Sequence, residues 1–335
     1  MRKIFAFACR CCLLSVVLLA AFASCNDSPK KFVVDGLAQG SYYEITYFDS
    51  RERDFKPQFD SIFALIDASV SLWVDSSVIS KVNRNEDVVL DKVFVDNFNI
   101  AQEYAALSNG AFDPTVAPLV SMWGFSYKDD IELTDDNIDS VRQLVDYRKV
   151  RIADGKLVKD DVRIKLDFNA IAQGYTADVI ADFLCRQGID DYLVNVGGEI
   201  MAHGAKPDGS TWVVGIEKPA ESWDSSPVMQ TRVRLGDNGL VTSGSYRKYV
   251  ERGGKRYSHT IDPATGYPVQ HSLISVTVMA ESSARADALA SICMVMGFEK
   301  SLELIKSLGG VEAYYIFANA DGDLETFATD GFEVF

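Results

Sequence analysis

Histidine and cysteine are scarce where they could act together. His203, His259 and His271 are the only histidines, too few and too scattered for a His-rich zinc site. Of six cysteines, Cys9, Cys11, Cys12 and Cys25 crowd the N-terminus, leaving Cys185 and Cys293. Two isolated cysteines in helix-like apolar surroundings make no disulfide framework or metal cluster, and they read as buried thiols. Positive charge is also short: 33 Lys and Arg face 48 Asp and Glu. That balance argues against nucleic acid, or an anionic membrane surface, as partner. It does not exclude an anionic small substrate where charge is locally reversed. No G-x-x-x-x-G-K-[ST] loop, strand-linked G-x-G-x-x-G, H-E-x-x-H or G-x-S-x-G occurs. P-loop NTPases, dinucleotide Rossmann units, zincins and serine hydrolases thus have no support.

What is present begins at the N-terminus. Arg2 and Lys3 precede an apolar run clearest from Leu13 to Ala23, and Phe22-Ala23-Ser24 leads into Cys25. A basic start, short apolar core and small residues describe a secretory signal. The run is short of the roughly 20 residues that span a bilayer, and Arg10 interrupts any longer reading. A cysteine directly after the small residues suggests lipoprotein processing, with Cys25 the acylated, palmitate-bearing N-terminus. The alternative is a plain signal peptide with an incidental cysteine. The expected organisation is signal 1–24, polar tether 25–31 and one catalytic domain 32–335. Cleavage removes Arg2, Lys3 and Arg10 and leaves 30 basic against 48 acidic residues, a charge of −18. The remaining length suits one large domain or two interleaved subdomains.

Periodicity predicts a strand at 41–48 and helices from Phe55, over 93–107 and from a Thr134 N-cap to about Val145. It predicts a half-buried strand at 162–168, a helix to about Arg186 and a strand at 192–196. Strands at 212–217, 229–235 and 239–243 follow, then a basic hairpin at 246–258 and a strand at 273–280. Two helices over 283–308 and a hairpin at 312–318 and 323–328 close the chain. Mixed elements with several hairpins favour an α+β class over a strict βαβ repeat.

Four stretches join turn residues to polar groups. In Ala286-Asp287-Ala288-Leu289-Ala290-Ser291, Asp287 and Ser291 are one helical turn apart. A carboxylate and a hydroxyl on one face supply half of a hard-cation site, which Mg²⁺ would complete with water or phosphate oxygen. The bland reading is a helix acid paired with a nearby base. Leu166 to Tyr175 places Asp167 at a strand-to-helix junction, where amides and the helix dipole favour an anion. Asp167 reads equally well as a sugar or base partner or as a helix cap. His259, beside Ser258 in the Tyr257–Gly266 stretch, is either a general base or a structural histidine. Gly110-Ala111-Phe112-Asp113-Pro114-Thr115 is the fourth. The segment around Tyr246-Arg247-Lys248 is the most basic in the chain, and reads as a phosphate-facing patch or a solvated hairpin.

In order, these stretches resemble the FAD:protein FMN transferase (ApbE) family. The resemblance also uses Gln39-Gly40-Ser41-Tyr42, Ser71-Leu72-Trp73, Ser77 to Asn83, Trp123-Gly124-Phe125, Asn195-Val196-Gly197-Gly198-Glu199 and Thr242-Ser243-Gly244. It implies mixed sheets flanked by helices, with a flavin cleft between two interleaved subdomains. By position it implies Mg²⁺ ligation by Asp287, Ser291 and the carbonyls of Ala170 and Ala290. FAD, the substrate, would be held by Gln39, Trp73, Ala111, Phe112, Asp113, Asp167, Gln173 and Ile261. Asp287 and His259 would be catalytic, His259 assisting deprotonation of the acceptor. The implied reaction transfers FMN from FAD to a Thr or Ser hydroxyl and releases AMP. Acceptors would be flavin-carrying subunits of membrane electron-transport complexes, of the sodium-translocating NADH:quinone reductase or Rnf type. A lipid anchor on the outer side of the inner membrane suits such partners. Three positions depart from the pattern: Gln173 where Lys is common, Ser291 for Thr, and Gln39 for Met. The rival functions are an FAD pyrophosphatase and a non-catalytic flavin-binding lipoprotein.

Overall fold

A computed structural model describes residues 29–125, 133–219, 228–245, 249–252 and 254–335. The signal, Cys25 and Tyr246–Lys248 lie outside the described residues. A hairpin of Lys30–Ala38 (β1) and Ser41–Asp49 (β2) turns on Gln39 and Gly40, whose φ values of 52° and 71° suit a two-residue loop. Helices Lys56–Val70 (α1), Val78–Asn83 (α2), Lys92–Leu107 (α3), Ala117–Trp123 (α4) and Asp135–Arg142 (α5) follow. Next come a hairpin of Val150–Ala153 (β3) and Lys156–Lys159 (β4), then Ala172–Arg186 (α6). Strands Tyr192–Val196 (β5), Glu199–His203 (β6), Trp212–Glu217 (β7), Met229–Leu235 (β8) and Gly239–Gly244 (β9) precede the hairpin Tyr249–Arg252 (β10) and Lys255–Ser258 (β11). Leu273–Ala280 (β12), Ser283–Met296 (α7), Phe298–Ser307 (α8), Glu312–Ala318 (β13) and Leu324–Ala328 (β14) complete it.

Eight strands form one antiparallel sheet in the order β1-β2-β5-β6-β9-β12-β13-β14. Tyr43, Ile45, Tyr47, Val194 and Val196 pack under α1 and α6. Farther along that face, Val276, Val278 and Tyr315 pack under α7 and α8. The opposite face, with Ile200, Leu240 and Ile316, is covered by the β7–β8 hairpin through Trp212, Ile216, Val233 and Leu235. Two covered faces explain why β12 and β13 read as nearly continuous apolar runs rather than alternations. A separate cluster joins α4 and α5 to Ile261. The α+β class expected from the pattern is the class observed. Among the described residues, no helix is long and apolar enough to cross a membrane.

Four local readings need correction. The tether does not extend to residue 31, because Lys30 and Lys31 pair with Asp49 and Phe48 at the start of β1. Residues 162–168 join no sheet: 162 and 163 belong to a turn closed by the Ile164 amide on the Asp161 carbonyl, and 164–168 lie outside any strand. Their alternation reports burial of Ile164, Leu166 and Phe168 in the core, and a side chain replaces the neighbouring strand. Asn83 accepts from the Leu166 amide at 2.7 Å and donates to its carbonyl at 2.9 Å. Thr134 does cap α5, accepting from the Asn137 amide at 3.2 Å, but the helix ends at Arg142 and continues only as a turn. Cys293 is buried; Cys185 is exposed, with its sulfur 3.2 Å from the Tyr192 hydroxyl.

Candidate functional site

A cleft of about 1340 Å³ runs between the β1–β2 turn, the 166–174 junction, the β5–β6 turn, the end of β9 and one turn of α7. Every side chain expected at the site lines it except that of Ala290, which is fully buried within α7.

The turn of α7 is unusual for what surrounds it. Ala286, Ala288, Leu289 and Ala290 are fully buried, so Asp287, itself 5% exposed, is a carboxylate on a helix otherwise packed in apolar core. Ser291 follows one turn later on the cleft side. The Gly174 amide donates to Asp287 Oδ2 at 3.3 Å, joining this turn to the start of α6. Glycine is required there: a Cβ at position 174 would stand 2.7 Å from the Ser283 carbonyl oxygen. Burial, and then the facing carboxylate of Glu199, push the Asp287 carboxyl well above the ordinary range.

Six acids line the cleft: Asp67, Asp113, Asp167, Glu199, Glu217 and Asp287. Among the described residues, no Lys or Arg lines it. Burial raises the carboxyls of Asp67, Asp113 and Asp167 as well. Acidic oxygens gathered in this way suit a divalent cation of hard character. Among the described residues no three His, Cys, Asp or Glu side chains converge as a metal cluster. An ion held by Asp287 and Ser291 would therefore draw its other ligands from carbonyls such as that of Ala170, from water or from a bound substrate.

The remaining positions divide by what their polar atoms already do. The Asp113 carboxylate accepts from the Thr115 amide at 2.8 Å, the Thr115 hydroxyl at 2.6 Å and the Tyr147 amide at 2.8 Å, so it fixes the 111–115 turn. Asp167 accepts from the Asn169 amide at 2.7 Å, tightening the turn before α6. The N-cap of α6 is instead Ile171. The Gln39 amide donates to the Thr176 hydroxyl of α6 at 2.9 Å. Ile261 is 5% exposed and packs with α4 and α5, offering the cleft little more than its edge. Trp73 stands at the rim, 67% exposed, with its ring free to cover a planar ligand. His259 lines the cleft with the Phe125 ring edge-on at 6.2 Å.

Glu199 had no assigned role from sequence. Its Oε2 and the Gln173 Nε2 both crowd Gly197, 2.9 and 2.5 Å from where a Cβ would sit. Asn195 Oδ1 accepts from the Gly198 amide at 2.9 Å and shapes that turn. The signal for Glu199 was present in Asn195-Val196-Gly197-Gly198-Glu199, an acid set directly after a two-glycine turn.

Residues 39–315 match the ApbE family. The FAD:protein FMN transferase of Vibrio cholerae is 32% identical over 332 residues, covering 96% of this chain and 98% of that protein. The Escherichia coli K12 protein of the same name is 30% identical, covering 96% of each chain. Among solved structures, the flavin transferase ApbE of V. cholerae superposes with a TM-score of 0.80 at 32% identity, covering 91% of this chain and 98% of that one. The apo Pseudomonas stutzeri flavinyl transferase ApbE gives 0.79 at 32%, covering 90% and 96%.

Proposed function

The chain belongs to the ApbE family, and we propose that its cleft transfers the FMN portion of FAD to an acceptor-protein hydroxyl with Mg²⁺ held by Asp287, Ser291 and the Ala170 carbonyl. The chain is an enzyme, an FAD:protein FMN transferase. The carbonyl of Ala290 is a further ligand in this reading. Bound Mg²⁺ supplies neutralisation and orientation of the diphosphate. Trp73 covers one end of FAD, the 111–113 turn and the Asp167–Gln173 junction hold its middle, and Ile261 borders it. His259 accepts the proton of the attacking hydroxyl. The oxygen–phosphorus bond forms on the FMN side, the phosphoanhydride bond breaks, and AMP leaves.

The observation that carries this reading is the contact between the Asp287 turn and the 166–174 junction inside one cleft. Incubation with FAD, Mg²⁺ and a purified flavin-carrying subunit of the Nqr or Rnf type tests it. A fluorescent acceptor on a denaturing gel, with equimolar AMP and no band in EDTA, is expected. Free FMN without a labelled acceptor would assign hydrolysis. FAD binding indifferent to EDTA and to Asp287→Ala, with no AMP, would assign a binder. We further propose a Cys25 lipid anchor at the outer side of the inner membrane. Cys25→Ala should move the protein to the soluble envelope fraction, and retention in the membrane fraction would refute the anchor.

A further inference from the structure

The proposed cation ligands come from two elements. Ala170 precedes α6 by two residues, whereas Asp287 and Ser291 ride on α7. The register of α6 against α7 therefore sets the spacing of the ligands. Asp178, on α6 and not among the residues lining the cleft, reaches across to the start of α7. Its Oδ1 accepts from the Ser283 amide at 2.8 Å and its Oδ2 from the Ala284 amide at 2.9 Å. Ser282 Oγ takes the next amide, Arg285, at 3.2 Å. The first-turn donors of α7 are thus satisfied partly by another helix, where a cap within the chain's own turn is usual.

One turn earlier on the same side of α6 lies Gly174, against the Ser283 carbonyl, its amide on Asp287. Gly174 and Asp178 together press α7 from residue 283 to 287. Each carboxylate oxygen takes one amide; a carboxamide in the same place keeps one oxygen and turns an NH2 donor toward the other amide.

We propose that Asp178 is a positioning residue, fixing α7 at the register that brings Asp287 and Ser291 to the Ala170 carbonyl. The inference rests on the cation assignment made above. It is tested with Mn²⁺ as probe, by electron paramagnetic resonance on the full chain without FAD. Asp178→Asn and Gly174→Ala should each weaken Mn²⁺ binding by about tenfold or more, the range seen when groups orienting metal ligands are lost. Far-ultraviolet dichroism should remain that of the unmutated chain, and kcat should recover at saturating Mn²⁺. A purely structural role would lower the melting temperature and leave Mn²⁺ affinity unchanged. Asp287→Ala is the control. Should it bind Mn²⁺ as tightly as the unmutated chain, the cation assignment fails. Should it abolish binding while Asp178→Asn binds normally, the positioning role alone is overturned.

Discussion

Asp49 and Asp287 are both nearly inaccessible carboxylates, at 3% and 5% exposure, and the fold surrounds them differently. At the end of β2, Arg53 places Nε at 2.8 Å and Nη2 at 3.1 Å from the Asp49 oxygens, with the Arg51 and Arg53 amides also donating. The guanidinium beside it, despite burial, draws the Asp49 carboxyl down to about 2. Asp287 has one amide donor at 3.3 Å and another carboxylate opposite, and its carboxyl is pushed up. One region closes its own charge. The other carries a carboxylate that faces a second carboxylate instead of a guanidinium, the kind of perturbed group that gathers at working sites.

The largest expected effect breaks the second region. Asp287→Asn should cut flavin transfer by about a thousandfold or more, since a lost ligand removes several kcal/mol of charge stabilisation. The same variant, cation-free, should melt no lower than the parent, because a repelled buried charge has been removed. Gel assay and calorimetry on one preparation would decide. Transfer within tenfold of the parent would end the comparison.

Asp49→Asn should do the reverse. Leaving Arg53 without its partner should cost roughly 2–4 kcal/mol of stability, read by urea denaturation. Transfer per folded molecule should not change.

The two kinds of acid also respond oppositely to pH. The depressed Asp49 gives stability that is present above its unfolded value of 3.8 and lost as pH falls toward about 2. Asp178 is raised to about 6, chiefly by burial and against the pull of its two amides. Its contribution is present below 3.8 and lost as pH rises through about 6. In cation-free protein, Asp178→Asn should therefore flatten the decline between these values, and Asp49→Asn should flatten the loss on the acid side. Melting temperatures across that range would show both.

The turn carrying Asp287 and Ser291 was legible because a carboxylate and hydroxyl four residues apart, flanked by alanines, share one helical face whatever the surroundings. The long helices were legible for the same reason of local periodicity. β1 was not: as an edge strand with Lys30, Lys31, Asp35 and Leu37 exposed, it lacks the apolar signature of its partners. Residues 162–168 misled because alternation reports which side chains are buried, not what accepts the backbone hydrogen bonds, and Asn83 does so from far along the chain. Glu199 was visible only as an acid after a two-glycine turn, and Asp178 not at all, because their meaning lies in what they face. Glu199, at the start of β6, acts on Asp287 of α7 by charge, and Asp178 on the first amides of α7 across a helix pair.

The smallest expected effect is the sharpest test of why the two regions differ. If the cleft differs from the Asp49 region in that, among the described residues, no Lys or Arg lines it, supplying one should carry it part of the way across. Gln173 is the place, because its Nε2 lies against the same Gly197 as Glu199 Oε2. Gln173→Lys would set an ammonium beside the Glu199 and Asp287 pair. Such a partly screened charge should contribute about 1 kcal/mol to cation-free stability. It should also weaken Mn²⁺ binding a few-fold, since ammonium and metal then compete for the same negative field. Calorimetry with a Mn²⁺ titration on the one variant reads both quantities. A rise in stability without any loss of Mn²⁺ affinity would mean that Glu199 does not share the field of Asp287. The contrast with Asp49 would then reflect burial alone, not the sign of the neighbouring charge.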